Sequence, residues 1–388
     1  LAVMNKDHLQ QIFKNYIDRF EEFNSDDRTK SSEYYKWEIP KPFKVSMDKA
    51  LKAENKEVFK YELDNIRKIT HDFIDSGKTL PFAGLVKAAD KEWETVQRMF
   101  RELYKPDDGN LDIRQEKIES FLAQANHLKD KNNLSDLYKS DFRSVTAYLF
   151  LYDPDYNYIY KPTHAQDFQD CIEFYDDFGE GDHVNLKAYY QMCDWLVDAI
   201  RETPSIKETN KLRAPKFKKE PYLDTEWHIL AYDIIYCCSA YNLFRGITFI
   251  HHTSKERKVL WEKQQKAQEL YEKLKAAQEE KKILDAAMDE LGKWLVVGES
   301  VTFKSFGKAA PVEKGIIIKK GSTMITIDFG DGNIKTIDWM STVTNGYLKF
   351  QKEESGFANT VETLKKASQI KGNLSTAERK FAPYSEYI

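Results

Sequence analysis

Apolar positions recur every three to four residues along much of the first half of this chain. Leu9, Ile12, Phe13, Tyr16, Ile17 and Phe20 share one face of a helix predicted from Asn5 to Phe23. A polar loop is expected over residues 24–32. Helical spacing returns over residues 46–53 and 56–75, where Val58, Phe59, Leu63, Ile66, Ile69 and Phe73 form a core face. Residues 80–104 read as two short helices, with Trp93, Val96, Met99, Phe100 and Leu103 inward. Residues 113–128 read as another, with Ile118, Phe121, Leu122 and Ala125 inward. Between these, the two prolines of YYKWEIPKPF, residues 34–43, predict an extended path.

The period shortens to two from Phe142 onwards. Val145, Ala147, Leu149 and Leu151 alternate with Thr146, Tyr148 and Phe150, and both sets are largely apolar or aromatic. That is the pattern of a strand covered on both faces. Asp153-Pro154-Asp155 has the chemistry of a turn. Tyr156, Tyr158 and Tyr160 then alternate with Asn157, Ile159 and Lys161, predicting a second strand that Pro162 ends. Residues 1–204 are therefore expected to form a mainly helical domain around a short β-hairpin.

Residues 205–221 change character. Together with Pro204 they hold three prolines and six basic residues, including Lys216, Lys218 and Lys219. The stretch reads as a solvated linker or, alternatively, as an arm that contacts phosphates. Residues 222–292 are expected to form a helical hairpin or coiled-coil stalk, its first helix, from Asp224 to Phe244, packing back on the first domain. Within it, residues 254–291 fall into heptads with Leu260, Lys263, Ala267, Leu270, Leu274, Ala277, Lys281, Leu284, Met288 and Leu291 at the seam. The seam closes within one chain or between two copies. From residue 293 to 350, short alternating strands separated by glycine turns predict a small SH3-like β-barrel, with Gly330-Asp331-Gly332-Asn333 as a hairpin turn. A polar tail, residues 351–388, follows. The fold class expected is α+β.

A net charge of -4 gives no global signal for nucleic acid, so any such surface must be a local patch. Cys171, Cys193, Cys237 and Cys238 form no CxxC pair and read as reduced core thiols of a cytoplasmic protein. The apolar run from Ile229 to Ile250 is interrupted by Asp233, Asn242 and Arg245, which marks a buried helix and not a membrane span. No secretory signal is expected from the basic and apolar pattern of the first residues.

Several short motifs fail on spacing. Ser76-Gly77-Lys78-Thr79 resembles the end of a phosphate-binding loop, but Asp72 stands where that loop needs glycine. Asp-Phe-Gly at 177–179 and 328–330 lacks the other kinase segments. The acidic loop around Asp176 and Asp182 lacks the alternation of a calcium loop, and His251-His252 has no partner at metal spacing. No cofactor, metal ligand or catalytic constellation is expected.

Two stretches resemble a known family. Tyr35-Lys36-Trp37-Glu38, with the segment through Leu103-Tyr104, is similar to the N-terminal region of bacterial AAA+ ATPases related to 5-methylcytosine-specific restriction enzyme B. Ser144-Val145-Thr146-Ala147-Tyr148-Leu149-Phe150 with Tyr158-Ile159-Tyr160-Lys161 resembles a hairpin of that region. The likeness covers residues 34–200, and no Walker motif follows it here. It implies a setting in bacterial defence against foreign DNA and a recognition or adaptor role beside a motor ATPase or nuclease. Val301 to Gly307, Gly315-Ile316-Ile317 and Ile325 to Phe329 resemble the small barrel that ends UvrD-type helicases and related Tudor-like modules. That likeness implies a surface for protein or nucleic acid.

The expectation is a non-enzymatic binding or adaptor protein for DNA or a partner protein. Lys216, Lys218, Lys219, Lys304 and Lys335 are the candidate phosphate contacts, with Phe303 and Phe306 near the barrel surface. The alternatives are a structural protein that self-associates through residues 254–291, and a divergent metal-dependent nuclease using Asp153 or Asp155.

Overall fold

The computed structural model describes residues 4–25, 32–75, 78–305, 307, 309–350 and 357–388. They divide into two compact units, within Val3–Trp261 and Glu262–Ile388. The fold is α+β, with the helices concentrated in the first unit and a five-stranded sheet in the second.

Asx side chains start five helices of the first unit. Asn5, Asn55, Asn110, Asp141 and Asn185 each accept a backbone N–H from the first turn of the helix that follows. The expected pair of helices over residues 80–104 is present: Pro81–Leu103 is two helical segments meeting at Glu92, whose backbone is non-helical. The centre of the core is aromatic. The rings of Phe82, Phe100 and Phe121 lie 5.7, 5.6 and 5.8 Å from that of Tyr148, mostly edge to face.

The expected hairpin is not formed. Residues Phe142–Tyr152 are a helix, opened by a capping box between Asp141 and Ser144. Every residue from Phe142 to Leu151 except Arg143 is buried, so the helix is apolar all round. Such a helix shows the same two-sided hydrophobicity as a covered strand. The expected second strand is not formed: Tyr156 ends a 3-10 turn, and residues 157–161, with extended backbone at Asn157 and Lys161, have no partner strand among the described residues. Side chains satisfy their backbone instead: the Tyr158 N–H donates to the Tyr190 hydroxyl at 3.2 Å, and the Tyr160 N–H to Thr146 Oγ1 at 3.1 Å. The strands of the first unit, among the described residues, are two-residue β1 (Gly179–Glu180) and β2 (His183–Val184), which pair antiparallel.

Two further expectations are corrected. Residues 34–43 are helical, in Tyr35–Glu38 and Pro40–Lys52. Pro40 occupies the first helical turn, where a missing N–H costs nothing. Residues 205–221 are not a free linker. The helix Pro204–Lys211 and a short 3-10 turn, Ala214–Lys216, lie within the first unit, and Arg213 between them is 1% exposed. The helix His228–Ala240 packs back into the core of that unit, as its apolar character predicted.

The second unit begins inside the long helix Ser254–Trp294. Ala267, Leu270, Leu274, Ala277, Leu284 and Leu291 of the predicted seam are buried, while Lys263 is exposed. Their cover comes from later in the same chain. The helix Ala367–Phe381 runs antiparallel to this one, with Phe381 against Tyr271 and Ile370 in one cluster with Leu284 and Leu291.

Strands β3 (Ser300–Lys304), β4 (Val312–Lys320), β5 (Met324–Asp328), β6 (Ile334–Asp338) and β7 (Leu348–Phe350) form an antiparallel sheet in the order β6-β5-β4-β3-β7. The predicted hairpin turn joins β5 to β6, with positive φ at Gly330, Asp331 and Gly332. No pairing joins β6 to β7 among the described residues, so the sheet is open where a closed barrel was expected. Its inner face, including Val301, Phe303, Ile317, Ile325 and Ile327, packs with Leu291 and Leu295. Gly315 is required there, because a Cβ would meet Ile327 and Phe329 at 2.5 and 2.7 Å. No helix among the described residues is long and apolar enough to cross a membrane.

Truncating Leu284 to alanine removes a fully buried side chain between helix and sheet. We expect Leu284→Ala to destabilise the second unit by about 2–5 kcal/mol, measured by urea denaturation.

Candidate functional site

Two places in the structure concentrate chemistry: a charged cluster in the first unit and the outer face of the sheet in the second.

The cluster forms where four chain segments meet. Tyr16 comes from the helix Lys6–Asp18, Lys36 from Tyr35–Glu38 with Glu33 just ahead, and Arg213 from the turn after Pro204–Lys211. The helix His228–Ala240 brings Tyr232, Asp233 and Tyr236, at spacings that place the two tyrosines on one face. Lys36 Nζ lies 2.7 Å from Asp233 Oδ1 and 2.9 Å from Glu33 Oε2. Arg213 Nη2 lies 3.0 Å from Asp233 Oδ2, which also accepts the Tyr16 hydroxyl at 2.6 Å. Arg213 also donates to the Tyr16 oxygen, and its guanidinium lies 4.0 Å from the Trp37 ring centroid. Glu33 accepts the Tyr241 hydroxyl at 2.6 Å.

Two cations and two anions thus balance in a region shielded from water. Burial favours the neutral form of Asp233, but Lys36 and Arg213 hold its carboxyl below the usual range. Burial likewise opposes the charge on Lys36, and Asp233 and Glu33 override it, leaving the ammonium more firmly protonated than usual. Each charge survives burial through its partners.

Lys161 lies beside this balanced set without a counter-ion. It precedes the helix Pro162–Ile172 and makes no ion pair among the described residues. Its Nζ is 4.8 Å from the Tyr236 ring centroid and 6.0 Å from that of Tyr232, the same rings that Lys36 approaches at 3.8 and 5.1 Å. Burial, then the charges of Lys36 and Arg143, bring its ammonium down to about 8. His164, one turn on, stacks on Tyr236 with centroids 5.2 Å apart. Burial, then Lys161 and Lys36, push its imidazole down to about 4, so it is neutral at pH 7.

The sheet presents a different surface. Cross-strand partners share a face, and the register places Ser300, Thr302 and Lys304 of β3, Val312, Lys314, Ile316 and Lys319 of β4, and Lys349 of β7 on the outer side. Lys314 and Lys349 flank Thr302 on adjacent strands. Met324, Thr326 and Asp328 of β5 and Ile334, Thr336 and Asp338 of β6 continue this face. Lys304, Lys314, Lys319 and Lys349 are exposed and make no ion pair among the described residues.

The residues singled out from the sequence scatter. Lys304 stands on the outer face. Lys335 stands on the inner one, paired with Glu313 and close to the Phe303 and Phe329 rings. Phe303 is 4% exposed and belongs to the core, not the surface. Lys216 is paired with Glu21 and donates to the Asn24 carbonyl at 2.8 Å. The backbone N–H groups of Lys218 and Lys219 donate to Glu38, and the Lys218 ammonium lies 5.8 Å from the Tyr34 centroid. These three lysines belong to the first unit. Phe306, and Ser76 and Gly77 of the phosphate-loop look-alike, lie outside the described residues.

Of the nuclease candidates, Asp153 precedes the short turn Pro154–Tyr156 and Asp155 lies within it. Burial raises the Asp153 carboxyl above its ordinary value. Among the described residues, no three His, Cys, Asp or Glu side chains converge as metal ligands.

The sequence reading missed the Lys36–Asp233–Arg213 cluster and Lys161. The available signal was Asp233 itself, a carboxylate in an otherwise apolar helix. No family model, no curated protein and no solved structure matches this chain.

Removing the central carboxylate leaves Lys36 and Arg213 facing each other without their shared counter-ion. Asp233→Ala is expected to cost about 3–5 kcal/mol in chemical denaturation. Lys161 has the opposite effect. Its folded-state pKa lies below the unfolded value, so the unfolded chain binds the extra proton between about pH 8 and 10.5, and stability climbs with pH across that interval. Lys161→Met is expected to remove that climb and to raise stability at pH 7 by on the order of 1–3 kcal/mol, read from denaturation curves at several pH values.

Proposed function

We propose that this chain is a nucleic-acid-binding protein that grips the phosphate backbone with the outer face of its C-terminal sheet. One observation carries the reading: Lys304, Lys314, Lys319 and Lys349 project from neighbouring strands on one exposed face with no ion-pair partner among the described residues. Most other lysines of the chain that were candidates lie against carboxylates or aromatic rings. Asp328 and Asp338 stand on the two strands farthest from β7, so the positive field is weighted toward β3, β4 and β7.

The same face limits what is recognised. Among the described residues it carries no aromatic ring on which a base could stack and no Arg, Asn or Gln to read a base edge. Contacts of this kind position a backbone without selecting a sequence. The strand order supports the module assignment: β3 lies between β7 and β4, and a short helix, Trp339–Thr344, precedes the last strand. We read this connectivity as SH3-like. A partner motor or nuclease, as the family resemblance suggests, would then supply chemistry at the DNA this chain holds.

Self-association through the long helix is the weaker reading, because its seam is covered by the helix Ala367–Phe381. Fluorescence anisotropy with labelled duplex and single-stranded oligonucleotides, across a salt series, tests the proposal. Binding is expected to be indifferent to sequence and to weaken steeply with salt. Replacing Lys304, Lys314 and Lys349 with alanine is expected to lower affinity and to reduce the log–log salt slope by about 2–3. Unchanged affinity and slope in the triple variant would overturn it.

A further inference from the structure

Lys161 is not the only group without a partner beside the charged cluster. The Tyr232 hydroxyl is buried and makes no hydrogen bond, in a side chain only 3% exposed. The helix Pro162–Ile172 also begins beside it with no side-chain cap, leaving the N–H groups of its first turn unclaimed by one. An ammonium, a helix N-terminus and a buried hydroxyl are all donors. Glu33, engaged by Lys36, acts on Lys161 and Tyr232 through its charge, but among the described residues no acceptor makes an ion pair with the ammonium or a hydrogen bond with the Tyr232 hydroxyl, and no side chain caps the helix.

The charges around Lys161 sharpen the point. Lys36 is neutralised by Glu33 and Asp233, Arg213 by Asp233, and Arg143 lies 3.5 Å from Asp141. His164 is neutral. One positive charge is therefore left over, held against the faces of Tyr232 and Tyr236. Lys161, His164 and Tyr236 are only half-buried, so a small solute can reach them.

We propose that Lys161 and the N-terminus of the helix Pro162–Ile172 form a binding site for a phosphate-class anion, with Tyr232 and Tyr236 as its wall. The anion completes the local charge balance, accepts from the ammonium and from the first-turn N–H groups, and gives the Tyr232 hydroxyl an acceptor. A free phosphate and the phosphate of a nucleotide share this chemistry. The ring of a nucleotide would lie along the stacked Tyr236–His164 pair. The site lies in the first unit and does not rest on nucleic-acid binding by the sheet.

The test uses the full chain with inorganic phosphate and with adenosine monophosphate, in chloride-matched buffer at pH 7. Calorimetry measures binding, and acetic anhydride labelling with mass spectrometry reads the reactivity of Lys161. Bound anion is expected to suppress acetylation of Lys161 while leaving exposed lysines such as Lys304 unchanged, and to move its labelling midpoint to higher pH. Lys161→Met is expected to weaken binding roughly 10- to 100-fold, the loss of one charge-assisted contact. Lys161→Arg is expected to retain most of it, and Tyr232→Phe to weaken it by a smaller factor with unchanged circular dichroism. Tighter binding of the nucleotide than of phosphate assigns the ring contact, and equal binding assigns free phosphate. Unaltered Lys161 reactivity with both anions, or equal affinity in well-folded Lys161→Met, would sink the proposal.

Discussion

Asp233 sits in the middle of an apolar helix with both carboxylate oxygens taken by cations from other parts of the chain. Lys36 arrives from the segment that follows the first helix, and Arg213 from the turn after Pro204–Lys211. An unpaired carboxylate at this depth would cost more than the helix could offset, so the three segments are committed to one another. Hydrophobic packing tolerates small slips between helices, whereas hydrogen bonds of 2.6 to 3.0 Å do not. The cluster thus sets the register in which the helices of the first unit meet. It also explains why a stretch as basic and proline-rich as 204–221 is not free: its arginine is consumed inside.

The same arrangement explains why Lys161 is different. A balanced set of charges has nothing left to offer a fifth, and the fifth is a cation beside an already cationic neighbour. Its position ahead of a helix adds the partial positive charge of the helix start. The local field is therefore positive in a protein whose net charge is -4. Bulk charge and local potential are separate quantities here, in the first unit as on the sheet.

Periodic patterns were legible where one face meets solvent. The helices with polar outer faces, the heptad seam of Ser254–Trp294 and the strands around Gly330 all followed from spacing. Legibility failed where both faces are buried. Phe142–Tyr152 looks like a covered strand because burial removes the polar positions that distinguish a period of 3.6 from one of 2. The capping pair Asp141 and Ser144 was the surviving clue. Among site residues, Lys304 was legible as a lysine on a strand, but the inner placement of Lys335 and Phe303 depends on register, which one residue of slip reverses. The partners of Lys36 and Arg213 are separated from them by up to 197 positions, a distance over which no local pattern speaks.

The cover of the long helix comes from far along the chain. Leu284 and Leu291 pack with Leu364 and Ile370, which follow the entire sheet in sequence. During synthesis the first unit can close while this apolar stripe still awaits residues that emerge later than every strand. A nascent chain therefore exposes the apolar stripe around Leu284 and Leu291 until residues 364–370 have emerged.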